Sequence, residues 1–365
     1  MHYLHMSESR KHHYVPQAQL RHFTHDRERK RLFFYDKSEG RNYRSSVLNA
    51  GSEKYFNTII EGDERLNFEA MFANADGNGS YIVNLLNEQR SLVGLNEEEL
   101  LKLADLCAVQ LVRTKLSRET PGVLAHEMRE ILEQFGADLD DSRFASPTEN
   151  DAKRGTIKAF ANRAEHRDSF FRLDPGLVEP EGDARFLISD HPIVFSNPFP
   201  YGDHGLQSQG IMAHLPLSPT LLLTWHCKTI TARLGHLLGL EREDQAALRI
   251  YSDGLLTGNP ARVSNVGIER YNALQFAQSH RFIYSHSNNF DAATARLPDK
   301  TKAEYRVRDS LMAIGQMGEG PPPRPSIPDG WNLVVHGPRD HCLLHNEEVD
   351  EEGEGSPREQ AILSC

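Results

Sequence analysis

The sequence predicts an α+β protein, predominantly helical, with an N-terminal β-hairpin and a small central sheet, antiparallel or mixed. Three observations carry that reading. Two short β-prone runs flank a glycine turn near residue 40, apolar residues recur at helical spacing over residues 61–170, and strand-like runs return between 185 and 225. With 365 residues, 38% hydrophobic and 25% charged, the chain can bury a core without disulfides or a structural metal.

Residues 1–10 read as a flexible start. From Lys11 to Phe23, Val15, Leu20 and Phe23 form an apolar anchor, and Pro16 opens a short helix because its ring presets the first helical φ. Leu32 to Asp36 and Tyr43 to Leu48 then flank Lys37-Ser38-Glu39-Gly40, a hairpin pattern. Leu66, Phe68, Met71 and Phe72, then Ile82, Val83, Leu85 and Leu86, keep a helical period that Asp76-Gly77-Asn78-Gly79 interrupts. The next helix starts at Asn96 with acids at the positive end of its dipole and is expected to reach Arg118. Further helices are expected over Gly122 to Phe135 and Thr148 to His166. Strand signals follow at Arg185 to Ile188, Ile193 to Phe195, Ile211 to Leu215 and Thr220 to Trp225, read together as one small sheet. A helix over Ala261 to Ser279 and a strand from Arg281 to Tyr284 complete a single domain over 11–310, divided into segments 11–60, 61–170 and 180–310. The tail 311–365, rich in Pro and Gly and then in acids, is expected to be largely disordered.

No stretch of about eighteen apolar residues is present, and the amino terminus lacks a basic-then-apolar leader, so the chain is expected in the cytoplasm with no membrane partner. Cys107, Cys227, Cys342 and Cys365 are widely spaced and are read as reduced thiols. The net charge is −11, but residues 347–365 hold seven acids against one arginine, which leaves about −5 on the body. That balance argues against broad, charge-driven binding to duplex nucleic acid.

Two polar motifs stand out. In Lys11-His12-His13-Tyr14-Val15-Pro16-Gln17 the adjacent histidines project differently, so one can meet a substrate or metal while the other holds supporting partners or packs inward. In Ile188-Ser189-Asp190-His191-Pro192 an apolar strand delivers a carboxylate and an imidazole at its end. A third pair, Gln110 and Arg113, shares one helix face at i and i+3. His336, Asp340, His341, Cys342 and His345 form a dense ligand-like group, but in a glycine- and proline-bearing setting that suits adventitious metal binding. Phosphate-loop, dinucleotide, esterase-elbow and His-Glu-x-x-His patterns are absent. The His-His-x-x-Pro order also suits the first element of a His-Asn-His nuclease, yet no histidine stands between His25 and His126 to complete one.

His12 to Gln17 with Leu20, Arg21 and Phe23, then Tyr35-Asp36, Gln110 with Arg113-Thr114, Ser189-Asp190-x-Pro192 and Leu215 to Pro219, resemble the landmarks of an uncharacterised bacterial family of the DUF4238 type, known by its HHYVPQ-like opening. The resemblance spans about Lys11 to Ser285. It implies a shared architecture and a set of candidate residues but no reaction. Ala18 and Gln19 depart from the aromatic-leucine step expected there.

The leading expectation is an intracellular hydrolase, a metal-dependent nuclease or nucleotide phosphodiesterase acting as a bacterial defence or toxin effector. Its catalytic group would be His12, His13, Gln17 and Asp190, with Gln110, Arg113, Arg21 and His191 binding an anionic substrate such as a nucleotide or nucleic acid. A divalent metal (Mg, Mn or Zn) would sit on His13 and Asp190, placing the two motifs in one cleft. The alternative is a non-catalytic ligand- or protein-binding module in which the same His and Asp residues form a structural polar core.

Overall fold

The computed structural model describes residues 10–136, 147–198, 205–239, 246–290, 331–335, 342–346 and 361–363. It is a mixed α+β fold, about 48% helix and 23% strand. None of the described helices is long and apolar enough to cross a membrane.

Strand β1 (Lys11–His13) leads into the short helix α1 (Gln17–Leu20), opened by Pro16 and extended by a 3-10 turn over Arg21–Phe23. Strands β2 (Arg31–Asp36) and β3 (Arg41–Ser46) form the expected hairpin, and Gly40 closes it at φ +62°, where a side chain would be strained. A 3-10 turn, Val47–Asn49, joins it to β4 (Ser52–Lys54), which pairs antiparallel with β1. A second hairpin, β5 (Thr58–Glu61) and β6 (Glu64–Asn67), precedes helix α2 (Ala73–Gln89). Then come α3 (Glu97–Val112), α4 (Lys115–Gln134), α5 (Glu149–Ala161), α6 (Ala164–Phe171), β7 (Asp174–Pro180), β8 (Ile188–Ser189), β9 (Val194–Ser196), β10 (Met212–Ser218) and β11 (Leu221–His226). Helices α7 (Lys228–Gly239) and α8 (Ala246–Thr257), β12 (Ala261–Val263), α9 (Asn265–Gln278) and β13 (Phe282–Ser285) follow. Of the tail, β14 (Trp331–Val335), β15 (Cys342–Asn346) and β16 (Ala361–Leu363) are described, as an antiparallel sheet of their own. The rest of the 311–365 expectation, with His336, Asp340 and His341, lies outside the described residues, as do residues 1–9.

Two sheets organise the domain. One runs β12-β7-β11-β10-β9, with only the β12–β7 pair parallel. Alternation along β11 and β10 sends Leu221, Leu223, Trp225, Ala213, Leu215 and Leu217 to one face, where they pack with Ile82, Leu86, Leu103 and Phe170 of α2, α3 and α6. The opposite face carries Leu222, Thr224, His226 and His214 and is covered by α8 and α9 through Tyr251, Ile268 and Tyr271. The other sheet is antiparallel, in the order β3-β2-β13-β8. It packs Leu32, Phe34, Ile188 and Tyr284 against Tyr14, Val15, Leu20 and Phe23 of the amino-terminal segment. Val15, Leu20 and Phe23 are fully buried, each contributing about 1.5–3 kcal/mol through removal from water.

The strands between 185 and 226 therefore do not form one sheet: β8 pairs with β13, while β9, β10 and β11 join β7. The helix expected to run from Asn96 to Arg118 stops at Val112, because Thr114 takes extended backbone and its hydroxyl accepts from the Ser117 N–H, starting α4. Conversely, α2 passes unbroken through Gly77 and Gly79. A Cβ at Gly79 would come within 2.9 Å of Leu106 Cδ1, so its absence lets α2 lie close to α3. Residues 261–263 begin the last helical segment as a strand, β12.

Candidate functional site

The amino-terminal motif is held by its backbone. Tyr14 and Val15 N–H groups both donate to the Gly51 carbonyl (2.8 and 3.2 Å), and Gly51 N–H donates to the Tyr284 hydroxyl (2.8 Å). Because β1 is paired and extended, its side chains alternate: His12 is fully buried and His13 half-buried. His12 Nδ1 accepts the Asn57 N–H (2.9 Å) and lies 3.9 Å from Glu69 Oε2, which also takes Asn57 Nδ2–H (2.7 Å). Arg118, buried over the Phe56 ring, donates to the Phe56 carbonyl, Asn57 Oδ1 (2.9 Å) and Thr156 Oγ1 (3.1 Å). His12 is thus one joint in a lattice binding the first strand to α4 and α5.

His13 stands elsewhere. Its N–H reaches Glu69 Oε1 (3.4 Å), and its carbonyl accepts from Arg113 (2.6 Å). Gln17 Nε2 faces its Nδ1 at 3.5 Å, while Nε2 is buried with no partner in hydrogen-bond geometry. Burial first, then the positive charges of Arg113 and Lys11, lower its pKa to about 4 against the weaker opposing pull of the Leu48 carbonyl and Asp76. At neutral pH the imidazole is uncharged. Gln17 Oε1 accepts from half-buried Arg21 (3.4 Å), so Arg21 sits beside the motif.

Arg113, 1% exposed, forms an ion pair with Asp76 and lies over the Phe72 ring. Its Nε is unpaired, as are both amide atoms of Gln110, which is fully buried one turn earlier on α3. Gln110, Asp76 and Gln19 line a cavity of about 10 Å³, room for about one water, and Gln19 Oε1 is unpaired too.

The second motif is occupied differently. Asp190, 1% exposed, accepts three successive N–H groups, from His280 (2.9 Å), Arg281 (2.8 Å) and Phe282 (2.8 Å). Burial raises its pKa from the ordinary value, against the opposing pull of the His280 charge, the Phe282 and Arg281 N–H groups and the Lys37 charge. Ser189 Oγ lies 2.7 Å from Gln275 Oε1 and 2.8 Å from the His191 carbonyl, and Gln275 Nε2–H donates to the Pro192 carbonyl (2.8 Å). His191 Nδ1 meets the Thr114 hydroxyl at 2.7 Å.

The structure therefore joins the two motifs through the α3–α4 junction, where Arg113 grips His13 and the next residue, Thr114, grips His191. It gathers His13, Gln17, Arg21, Gln110 and Arg113 into one neighbourhood. Asp190 and His12 are instead committed to the protein's own backbone, and Asp190 clamps the start of β13. Among the described residues, no group of three or more His, Cys, Asp or Glu is arranged to hold a metal ion. Glu69 and Asp76 were missed in the sequence. Their spacing of seven, two helical turns, was the available signal, but Asp76 read as part of a helix-breaking run. Gln275 had no comparable signal.

No curated protein and no solved structure matches the chain. The model of one family, described as "Protein of unknown function (DUF4238)", matches residues 11–289, from the first paired strand through β13, and the chain belongs to that family.

Proposed function

We propose that the protein is a cytoplasmic hydrolase acting on an anionic substrate of the nucleotide or nucleic-acid class, with the His13 neighbourhood as its site. One observation carries this reading: buried side-chain atoms of His13, Arg113, Gln110 and Gln19 have no hydrogen-bond partner. Each costs about 1–3 kcal/mol, and folds retain such groups where water, an ion or a ligand completes them. A neutral imidazole can take a proton from attacking water, or bind a metal, without first losing one of its own. Lys11 and Arg21 beside it would offset substrate charge. Arg113, already paired with Asp76, positions His13 through its carbonyl rather than meeting the substrate. His13 Nε2 is covered in this conformation, and the Val47–Asn49 turn, whose Leu48 carbonyl faces the ring, is the element that would open it.

A second reading, a non-catalytic binding module, is favoured by the complete engagement of Asp190 and Ser189. The two separate in one experiment. Phosphodiester and nucleotide hydrolysis is measured with Mg²⁺, Mn²⁺ or Zn²⁺ for wild type, His13→Gln and Gln110→Ala, with melting curves for each. The hydrolase reading expects activity to fall at least about a hundredfold in His13→Gln with little change in melting. No turnover by the wild type, or full activity in His13→Gln, would discard it.

A further inference from the structure

A cavity of about 540 Å³ opens between α7, α8 and the start of β7, within the size range of small-molecule sites and sharing no residue with the His13 neighbourhood. Its walls are mostly apolar, with Leu92, Leu100, Leu234, Leu255 and Leu256 among them. Among the described residues, Asp174 is the one charged residue lining it, accompanied by Thr231 and Ser252. One Asp174 oxygen accepts the Thr231 hydroxyl (2.7 Å), and no cation among the described residues pairs with the carboxylate.

The polar floor is firmly built. The Asp174 backbone is registered against His226 in the sheet, and its carbonyl meets His226 Nδ1 at 3.3 Å. Fully buried His226 in turn meets the Tyr251 hydroxyl through Nε2 at 2.7 Å, which fixes α8 and hence Ser252. Gly176, two residues along β7, leaves the room that Leu255 fills, since a Cβ there would collide with it.

We propose that this cavity binds a small amphiphilic amine, its ammonium group paired with Asp174 and its hydrocarbon body against the leucines. A carboxylate that pairs with no cation among the described residues, set in a mostly apolar open cavity, favours a cation, disfavours an anion, and leaves a neutral ligand without the ion pair. Octylamine, octanol and octanoate share one hydrocarbon body and differ in the head group, so calorimetric titration of the full chain with each reads the contribution of charge. Octylamine should bind saturably and at least about tenfold more tightly than octanol, with octanoate weakest. Asp174→Asn should bring octylamine down to the affinity of octanol. Leu256→Trp, at a position 80% exposed and so tolerant of bulk, should weaken both by filling the mouth. Equal affinity for all three probes, octylamine binding unchanged in Asp174→Asn, or no saturable binding would overturn the proposal.

Discussion

Asp190 organises more backbone than any other side chain in the two motifs, because its oxygens take three consecutive N–H groups at the entry to β13. Those donors have no substitute if the carboxylate is removed. Asp190→Ala should cost on the order of 3–5 kcal/mol in denaturant unfolding, the size seen when buried charged partners are broken, and Asp190→Asn distinctly less. A loss under 1 kcal/mol for Asp190→Ala would show that the clamp is dispensable. That His12 and His13 project differently was legible in the sequence from their adjacency, while the paired strand that sends one inward and leaves the other half-buried was not. The employment of Asp190 was not. A strand-end carboxylate reads the same whether it faces a ligand or a distant N–H run some ninety residues later, and only tertiary contact decides.

Among the elements, the α3–α4 junction does most to bring the motifs together. Local chemistry made much of the fold legible: Gly40 closes its hairpin, and Asn96 with Glu99 forms a reciprocal cap at the start of α3. Thr114 carried a similar signal, a hydroxyl three residues before Ser117, but the apolar period on either side concealed the break. The pairing of β8 with β13 rather than with its sequence neighbours was illegible, since two residues of strand carry no register information. Thr114 both caps α4 and bonds His191, so Thr114→Ala should cost about 1–2 kcal/mol. Thr114→Ser, which keeps the hydroxyl, should recover most of that in thermal unfolding. Equal losses in the two variants would assign the effect to the methyl group.

At the scale of the molecule, the polar face of the five-stranded sheet sets the response to acid. Burial pushes His214 down to about 3 and His226 down to about 4, from 6.5. The unfolded chain therefore binds protons first, so stability is fully present above pH 6.5 and falls as pH drops toward 4. Each histidine should remove about 3 kcal/mol by pH 4. Denaturant midpoints from pH 7 to 4.5 should fall less steeply for His226→Gln than for the wild type, and parallel slopes would refute the assignment. The pairing of β2 with β13 bears on synthesis. Asp36 and Arg281, which close this seam, lie 245 residues apart. At ribosomal speeds of 5–20 residues per second, the apolar face of the first hairpin waits roughly 10–50 s for its partner strand. A nascent chain halted anywhere in that interval carries a bare strand edge with Phe33 and Tyr35 uncovered, a substrate for chaperones or for aggregation. The domain's first-made sheet is thus among the last of its parts to be finished.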